Sequence, residues 1–383
     1  MIKVGIYNHH WSTLGGGEVS AGSLAEELSK TYSVTLLGPE KPDFDTFKKY
    51  LNIDLSLCKF EEVSGDLEAS KSSENFDWFI NHSFSSKATN RAPLGIFIVM
   101  FPGDPLKWRS KVKSMICRPM LRVIRSAGSK LERLENFLQM HTYDLSWTNS
   151  YEKFFAISNY TKYWVSELWG RDCEILYPPP SRSLIGVKKE RIILSVGRFF
   201  EPKGRHSKKH FDLIEAFKSL DNSYFQDGWR LVLAGGCAEE DQDYLDEIRG
   251  VANTSAIDIL ANISGDELGN LYSCASIYWH ATGYGESSIT SPSRFEHFGI
   301  SVVEAMSAGV VPVVFETGGP SEIVQSGING LHWKELKDLV DKTNQLISDP
   351  SWADSLREEA VKRSNNFQKE RYKIRLHELL NTF

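Results

Sequence analysis

The chain has 383 residues, 41% hydrophobic and 25% charged, with a formal net charge of −6. That length holds two domains with full cores, and the composition is ordinary for a folded soluble protein. The negative charge argues against a general nucleic-acid binder, and five scattered cysteines without a C-x-x-C argue against a disulfide framework or a zinc site.

The opening run, 2–7, reads as a strand and not as a leader, and no spanning segment is expected, so the chain is read as cytoplasmic. Gly15-Gly16-Gly17-Glu18 follows it and opens a helix expected over 18–29. Glycines there permit close backbone approach to a phosphate or sugar; a tight turn without ligand is the alternative. The G-x-G-x-x-G of a dinucleotide fold is not met, because its last position falls on Ser20. Further strands are expected over 34–37, 78–80 and 94–100.

Residues 107–133 then carry nine Lys/Arg and one acid, Glu132, with apolar residues at helical spacing interrupted by Pro119. Two short basic amphipathic helices fit this pattern. They suit an anionic membrane surface or an anionic, lipid-linked molecule, and equally a solvated cover on the first domain. Tyr177-Pro178-Pro179-Pro180-Ser181 is a stiff connector and marks the domain boundary. The first domain is read as 1–178 with 366–383, and the second as 182–365.

The second series has strands over 192–196, 231–234, 256–260, 277–280 and 310–315, with helices over 210–220, 244–251, 267–273 and 301–308. The alternation implies two doubly wound parallel sheets, α/β in class, each covered on both faces. Ligands of such sheets bind beyond the carboxyl ends of the strands. Gly197-Arg198 stands at such an end, with Lys203, Lys208 and Lys209 shortly after. Fixed cations there suit a leaving group that gains negative charge, and a solvated basic loop is the bland alternative. Asp241-Gln242-Asp243 spells D-x-D, but in an acidic run before a helix, which reads as an N-terminal charge cluster. Trp279-His280 ends a strand and reads as a satisfied core pair.

The most informative stretch is RFEHFGISVVEAMSAG at 294–309, with Glu296 and Glu304 eight positions apart. Ser301 is read as the N-cap, with Glu304 at the third helical position closing a capping box. Phe298, Gly299, Ile300 and Ser301 lead into that helix, so their amides are candidate anion donors.

This stretch resembles the E-x7-E signature of retaining glycosyltransferases of family 4, which have the GT-B fold. SVGRFFEPKGRHSKKHFDLIEAF, LVLAGG, IYWHATGYGE and VVPVVFETGGPSEIVQSGINGLHW extend the resemblance over 191–333, and GGGE and YTKYWVSELWGRDCEILYPPP extend it loosely into the first half. The resemblance implies two Rossmann-like domains facing across a cleft, with the terminal helix crossing back to the first. It implies a hexosyltransferase-type, metal-independent enzyme with no cofactor, of the kind that builds polysaccharides. Such an enzyme moves sugar from a nucleotide-diphosphate donor to a hydroxyl of a glycan or lipid-linked acceptor. Arg198 and Lys208 then form the diphosphate clamp, with Lys209 or Lys203 as substitutes. Glu296 lies by the donor sugar, Glu304 accepts from the ribose hydroxyls, and Asn262 lies near the base. Gly16, Gly17 and Gly197 line the donor site, and the backbone of 298–301 touches sugar and phosphate. A histidine is implied at the end of the strand over 94–100. Met100 stands there instead, leaving His82 and Asp104 as candidate substitutes. A non-catalytic nucleotide-sugar binder acting in an assembly, an epimerase and a phosphorylase stay open as alternatives.

Overall fold

The computed structural model describes every residue except 14, 106–116, 118, 121–122, 125–143, 183, 185–186, 203–206 and 382–383. The basic segment 107–133 therefore lies largely outside the described residues, and so does Lys203.

The first sheet contains β1 (Lys3–Tyr7), β2 (Ser33–Gly38), β3 (Lys59–Glu62), β4 (Trp78–Asn81), β5 (Leu94–Val99), β6 (Lys153–Ala156) and β7 (Glu174–Ile175), in the order β3-β2-β1-β4-β5-β6-β7. The second contains β8 (Ile192–Val196), β9 (Arg230–Gly235), β10 (Ile257–Ala261), β11 (Ile277–His280), β12 (Val311–Phe315) and β13 (Leu331–Trp333), in the order β10-β9-β8-β11-β12-β13. Neighbouring strands are parallel throughout. The chain reverses its winding between β1 and β4 in one sheet and between β8 and β11 in the other. Those two switch points are where an open parallel sheet leaves a crevice.

The central strands are near-continuous apolar runs because helices cover both faces. Val4, Ile6, Ile193, Leu194, Leu231, Leu233 and Val313 are fully buried. Each such side chain contributes about 1.5–3 kcal/mol relative to staying in water. Trp279 and Trp333 are buried as well, and their indole N–H groups donate to Thr343 Oγ1 (3.0 Å) and the His280 carbonyl (3.1 Å).

The strands β3, β6, β7 and β13 were not expected from the sequence. The KFEE, KFFA, EI and LHW runs are two to four residues long and lie toward the sheet edges, where burial does not demand a full apolar run. The helices Asn159–Trp169, Leu336–Ser348 and Pro350–Ser364 were likewise not anticipated.

Two crossings join the halves. The proline connector leaves β7, and the chain returns after Ser364 into the helix Lys369–Leu380. That helix lies on the first domain. His377 Nε2 sits 3.0 Å from Glu27, Lys369 pairs with Glu26 at 2.5 Å, and Arg375 pairs with Glu174 at 2.7 Å. Tyr372, Leu376, Leu379 and Leu380 are buried, whereas Ile374 is exposed. Phe298 lies where both crossings meet, stacked on Tyr177 at 5.5 Å and edge-on to Phe367 at 5.7 Å. One apolar cluster thus runs from the first sheet through Phe298 and Phe367 into the second domain.

Candidate active site

The loop after β11 descends through Arg294 and Glu296 to the helix Ile300–Ser307. Gly299 is its N-cap, in the left-handed region at φ 107°, and no side chain caps the helix. Ser301 is therefore inside the first turn, and the expected capping box does not form. The turn made by Gly299 replaces it, since a residue with a Cβ is strained at that φ. Phe298 anchors the loop by its ring between the two crossings, and its backbone packs against Gly319. The amides of Ile300 and Ser301 take no backbone carbonyl among the described residues. They are donors left over at a helix N-terminus.

Glu296 and Lys208 meet at 2.6 Å, both side chains about four-fifths buried at 22% and 19% exposure. Burial alone would raise the Glu296 carboxyl, but Lys208 and His280 beside it hold it well below the usual carboxylate range. His280 Nε2 is 3.7 Å away, so His280 is aimed at Glu296 and is not the satisfied core residue expected. Neither ring nitrogen of His280 has a hydrogen-bond partner among the described residues. Burial lowers the pKa of that ring, and Glu296 beside it opposes the shift only in part.

Lys208 lies across Gly197, where a Cβ would come within 2.7 Å of Lys208 Cγ. Glycine at 197 is thus what lets the lysine stem cross the end of β8. Arg198 is exposed, its guanidinium 5.7 Å from the Phe200 ring centre, and makes no ion pair among the described residues. Lys209 donates instead to Glu286 at 2.9 Å, and Arg294 donates to the other Glu286 oxygen at 2.9 Å.

Glu304 accepts from the Ser181 hydroxyl at 2.6 Å, just past the connector prolines. Burial raises its pKa, and the contacts with Ser181 and Tyr272 oppose that only in part. Asn262 does not offer its amide to a ligand. Its Oδ1 accepts from Cys237 N (2.8 Å) and its Nδ2 donates to Cys237 O (3.0 Å), pinning the loop after β9 to the end of β10. At φ 55° its backbone turns there, as asparagine tolerates.

The first domain supplies the opposite wall. The helix Gly16–Ser29 begins two residues earlier than expected, and the buried Glu18 folds back on Gly15 N (2.8 Å) and the Thr13 hydroxyl (2.7 Å). Gly16 faces across the cleft, where a Cβ would lie 3.4 Å from Ile300 Cδ1. Gly17 faces inward, with Met100 Cε 2.7 Å from where its Cβ would stand, so Met100 fills that space against the helix.

Neither candidate histidine substitute is free. His82 is buried and bonded to Ser20 Oγ at 2.9 Å, and Asp104 accepts from Ser293 N (2.9 Å) and Ser293 Oγ (2.8 Å) in the other domain. Asp104 is thus a bridge between domains. Phe101 stacks on His297 beside it at 4.2 Å, and the Tyr160 hydroxyl donates to the Pro292 carbonyl at 2.9 Å. Sequence reasoning missed this bridge and Glu286, because both depend on which residues the two domains bring face to face. Asp241 of the D-x-D accepts from Glu201 N at 3.3 Å, on the surface ahead of the helix Gln242–Ala252.

Residues 182–366 match the family model described as glycosyl transferases group 1. Over those residues the second domain is similar to that family. Its relatives include the mouse GDP-Man:Man(3)GlcNAc(2)-PP-Dol alpha-1,2-mannosyltransferase, 30% identical over 181 residues, which is 43% of this chain and 34% of that protein. An alpha-1,3/1,6-mannosyltransferase of Rhizomucor pusillus is 28% identical over 51% of this chain and 46% of its own. The chain spans 34% to 40% of the length of the three mannosyltransferases from mouse, Dictyostelium discoideum and human. Among solved structures, Anabaena HepE in complex with UDP and glucose superposes with a TM-score of 0.68 at 15% identity, over 100% of both chains. Sucrose-phosphate synthase of Thermosynechococcus elongatus superposes at 0.67 with 14% identity, over 100% of this chain and 99% of that one. The fold is GT-B, as expected.

Proposed function

We propose that this protein is a retaining glycosyltransferase of the family 4 type. It moves a hexose from a nucleotide-diphosphate donor to a hydroxyl of a glycan or lipid-linked acceptor, without a metal. One observation carries the reading. The Lys208–Glu296 pair at 2.6 Å stands beyond the carboxyl ends of β8 and β11 and faces a cleft whose other wall is Gly16. The activities named for its relatives, transfer from GDP-mannose among them, and the UDP and glucose bound to HepE support the donor class.

In this reading the diphosphate lies between Arg198, Lys208 and the free amides of Ile300 and Ser301. Charge grows on the phosphate oxygen as the bond to the anomeric carbon breaks. Cations fixed there stabilise the transition state more than the ground state and do the work a metal does elsewhere. The acceptor oxygen bonds to the anomeric carbon on the face the phosphate leaves, and its proton passes to the departing phosphate oxygen. Configuration is thereby retained. Glu296, kept ionised by Lys208, holds the sugar and stabilises its positive charge without forming a covalent bond. Glu304 accepts from the ribose hydroxyls, with Ser181 Oγ as its present donor. The domain bridge at Asp104 and Phe101 keeps the cleft closed to water, limiting donor hydrolysis.

The acceptor lies on the first domain. Among the described residues no helix is long and apolar enough to cross a membrane. Segment 107–133 is proposed to rest on an anionic membrane at the cytoplasmic face, where a lipid-linked acceptor is presented. The non-catalytic alternative draws on one feature, Met100 filling the space against Gly17.

The test is thermal stabilisation by UDP-glucose, GDP-mannose and ADP-glucose, followed by acceptor-free release of nucleoside diphosphate. Stabilisation with even slow release supports the enzyme, and stabilisation with no release above the protein-free rate supports the non-catalytic binder. No shift with any nucleotide sugar refutes both. The anomeric configuration of a product, read by NMR, tests retention.

A further inference from the structure

The loop 281–294 does more than lead to Glu296. Gly283 and Gly285 take left-handed backbone angles (φ 102° and 72°), and Glu286 N donates to the Gly283 carbonyl at 3.1 Å. A side chain at Gly283 would collide with the Phe295 ring, so the turn is packed against the residue preceding Glu296. This tight turn aims the Glu286 carboxylate at two cations and uses both oxygens, Oε1 to Lys209 and Oε2 to Arg294, each at 2.9 Å. Lys209 and Glu286 are 15% exposed, and Arg294 is 36% exposed. Lys209 is itself held at φ 58° as the N-cap of the helix His210–Lys218.

The Lys209–Glu286–Arg294 triad therefore stands beside the Lys208–Glu296 pair. Lys208 and Lys209 are neighbours in the chain, and each is given its own carboxylate. An ammonium has three donors and a guanidinium five, so both cations keep donors to spare after binding Glu286. With Arg198, the pocket holds four cations against two carboxylates, a surplus of two positive charges that matches a diphosphate.

We infer that Glu286 is a positioning residue of this pocket: it fixes Lys209 and Arg294 so that their remaining donors face the diphosphate of the donor. The inference rests on the nucleotide-diphosphate reading above and goes beyond it by assigning Glu286 and Arg294. A purely screening role predicts the opposite sign. Removing a carboxylate that only neutralised the pocket would add one net positive charge and tighten diphosphate binding. Removing one that holds two flexible cations in place weakens it, because their ordering is then lost on binding.

The experiment compares UDP, GDP and ADP with uridine, guanosine and adenosine by calorimetry. The preference for each nucleoside diphosphate over its nucleoside isolates the diphosphate contacts. Glu286→Gln is expected to lose roughly tenfold of that preference, with nucleoside affinity unchanged. Glu286→Asp, whose shorter arm reaches one cation at a time, should fall between. Should Glu286→Gln not fold, Arg294→Gln carries the test, since it leaves Lys209 with Glu286 and is expected to lose about threefold. An unchanged or larger preference in a folded variant overturns the role of Glu286 and leaves the diphosphate reading standing. A wild-type protein that binds no nucleoside diphosphate better than its nucleoside overturns that reading, and this inference with it.

Discussion

The Lys208–Glu296 contact sets a thermodynamic test that needs no substrate. The perturbation is a double-mutant cycle of Lys208→Met, Glu296→Gln and the pair. At 2.6 Å and an effective dielectric near 20, the bare attraction is about 6 kcal/mol. Desolvation of both groups offsets much of it. Removing Lys208 alone leaves a carboxylate at 22% exposure without its cation. At pH 7.5 His280 does not replace the charge, because burial lowers its pKa below 6.5. Each single variant should thus lose roughly 2–4 kcal/mol, and the double much less than their sum, for a coupling of about 2 kcal/mol.

The assay is urea unfolding of the four proteins at pH 7.5 and pH 5. Glu296 titrates below its ordinary value of 4.5, so the pair's contribution is fully present above that value. It is lost only as pH falls through the lower folded-state value. The wild-type pair should therefore persist at both pH values, whereas burial raises the uncompensated Glu296 carboxyl of Lys208→Met, so the coupling should be smaller at pH 5 than at pH 7.5. A coupling under about 0.5 kcal/mol at pH 7.5, or one that grows toward pH 5, refutes the reasoning.

Three further outcomes are expected. Arg198→Ala should lower turnover on the order of a hundredfold, read as nucleoside diphosphate release. Because Arg198 makes no ion pair among the described residues, the melting temperature should stay unchanged, and wild-type turnover would remove it from the clamp. Glu304→Ala should raise the Kd for the nucleotide while leaving inorganic pyrophosphate binding as it was. Equal loss for both ligands would contradict a ribose contact. Glu322 accepts from Asn159 N of the other domain at 2.9 Å, and burial pushes its pKa up from 4.5 to about 7. The fold then keeps a proton that the unfolded chain releases, so this group's contribution to stability declines as pH rises from about 4.5 to about 7 and is level above. Glu322→Gln should flatten that part of the melting profile between pH 5 and pH 8, and an unaltered slope would count against the buried placement.

The sequence by itself determined the two parallel sheets. Runs such as IIL at 192–194 and VVPVVF are apolar at every position, which only a strand covered on both faces requires. It also determined that Gly197, Arg198, Lys208, Glu296 and the 298–301 turn follow strand ends, because that placement depends on local order along the chain. The edge strand KFEE carried no such pattern, since an edge strand is only partly covered.

Tertiary structure decided how each charge is spent. Lys208 and Lys209 are adjacent and chemically alike, yet one meets Glu296 and the other Glu286, 88 and 77 residues away. Asn262 and Asp104 looked free for a ligand, and the fold commits them to Cys237 and Ser293. Ser301 fits a capping rule that Gly299 pre-empts by turning the chain two residues earlier. Pattern along a chain reports which faces must avoid water. Pairing between a given cation and carboxylate is decided by distances across the cleft, to which local spacing is blind.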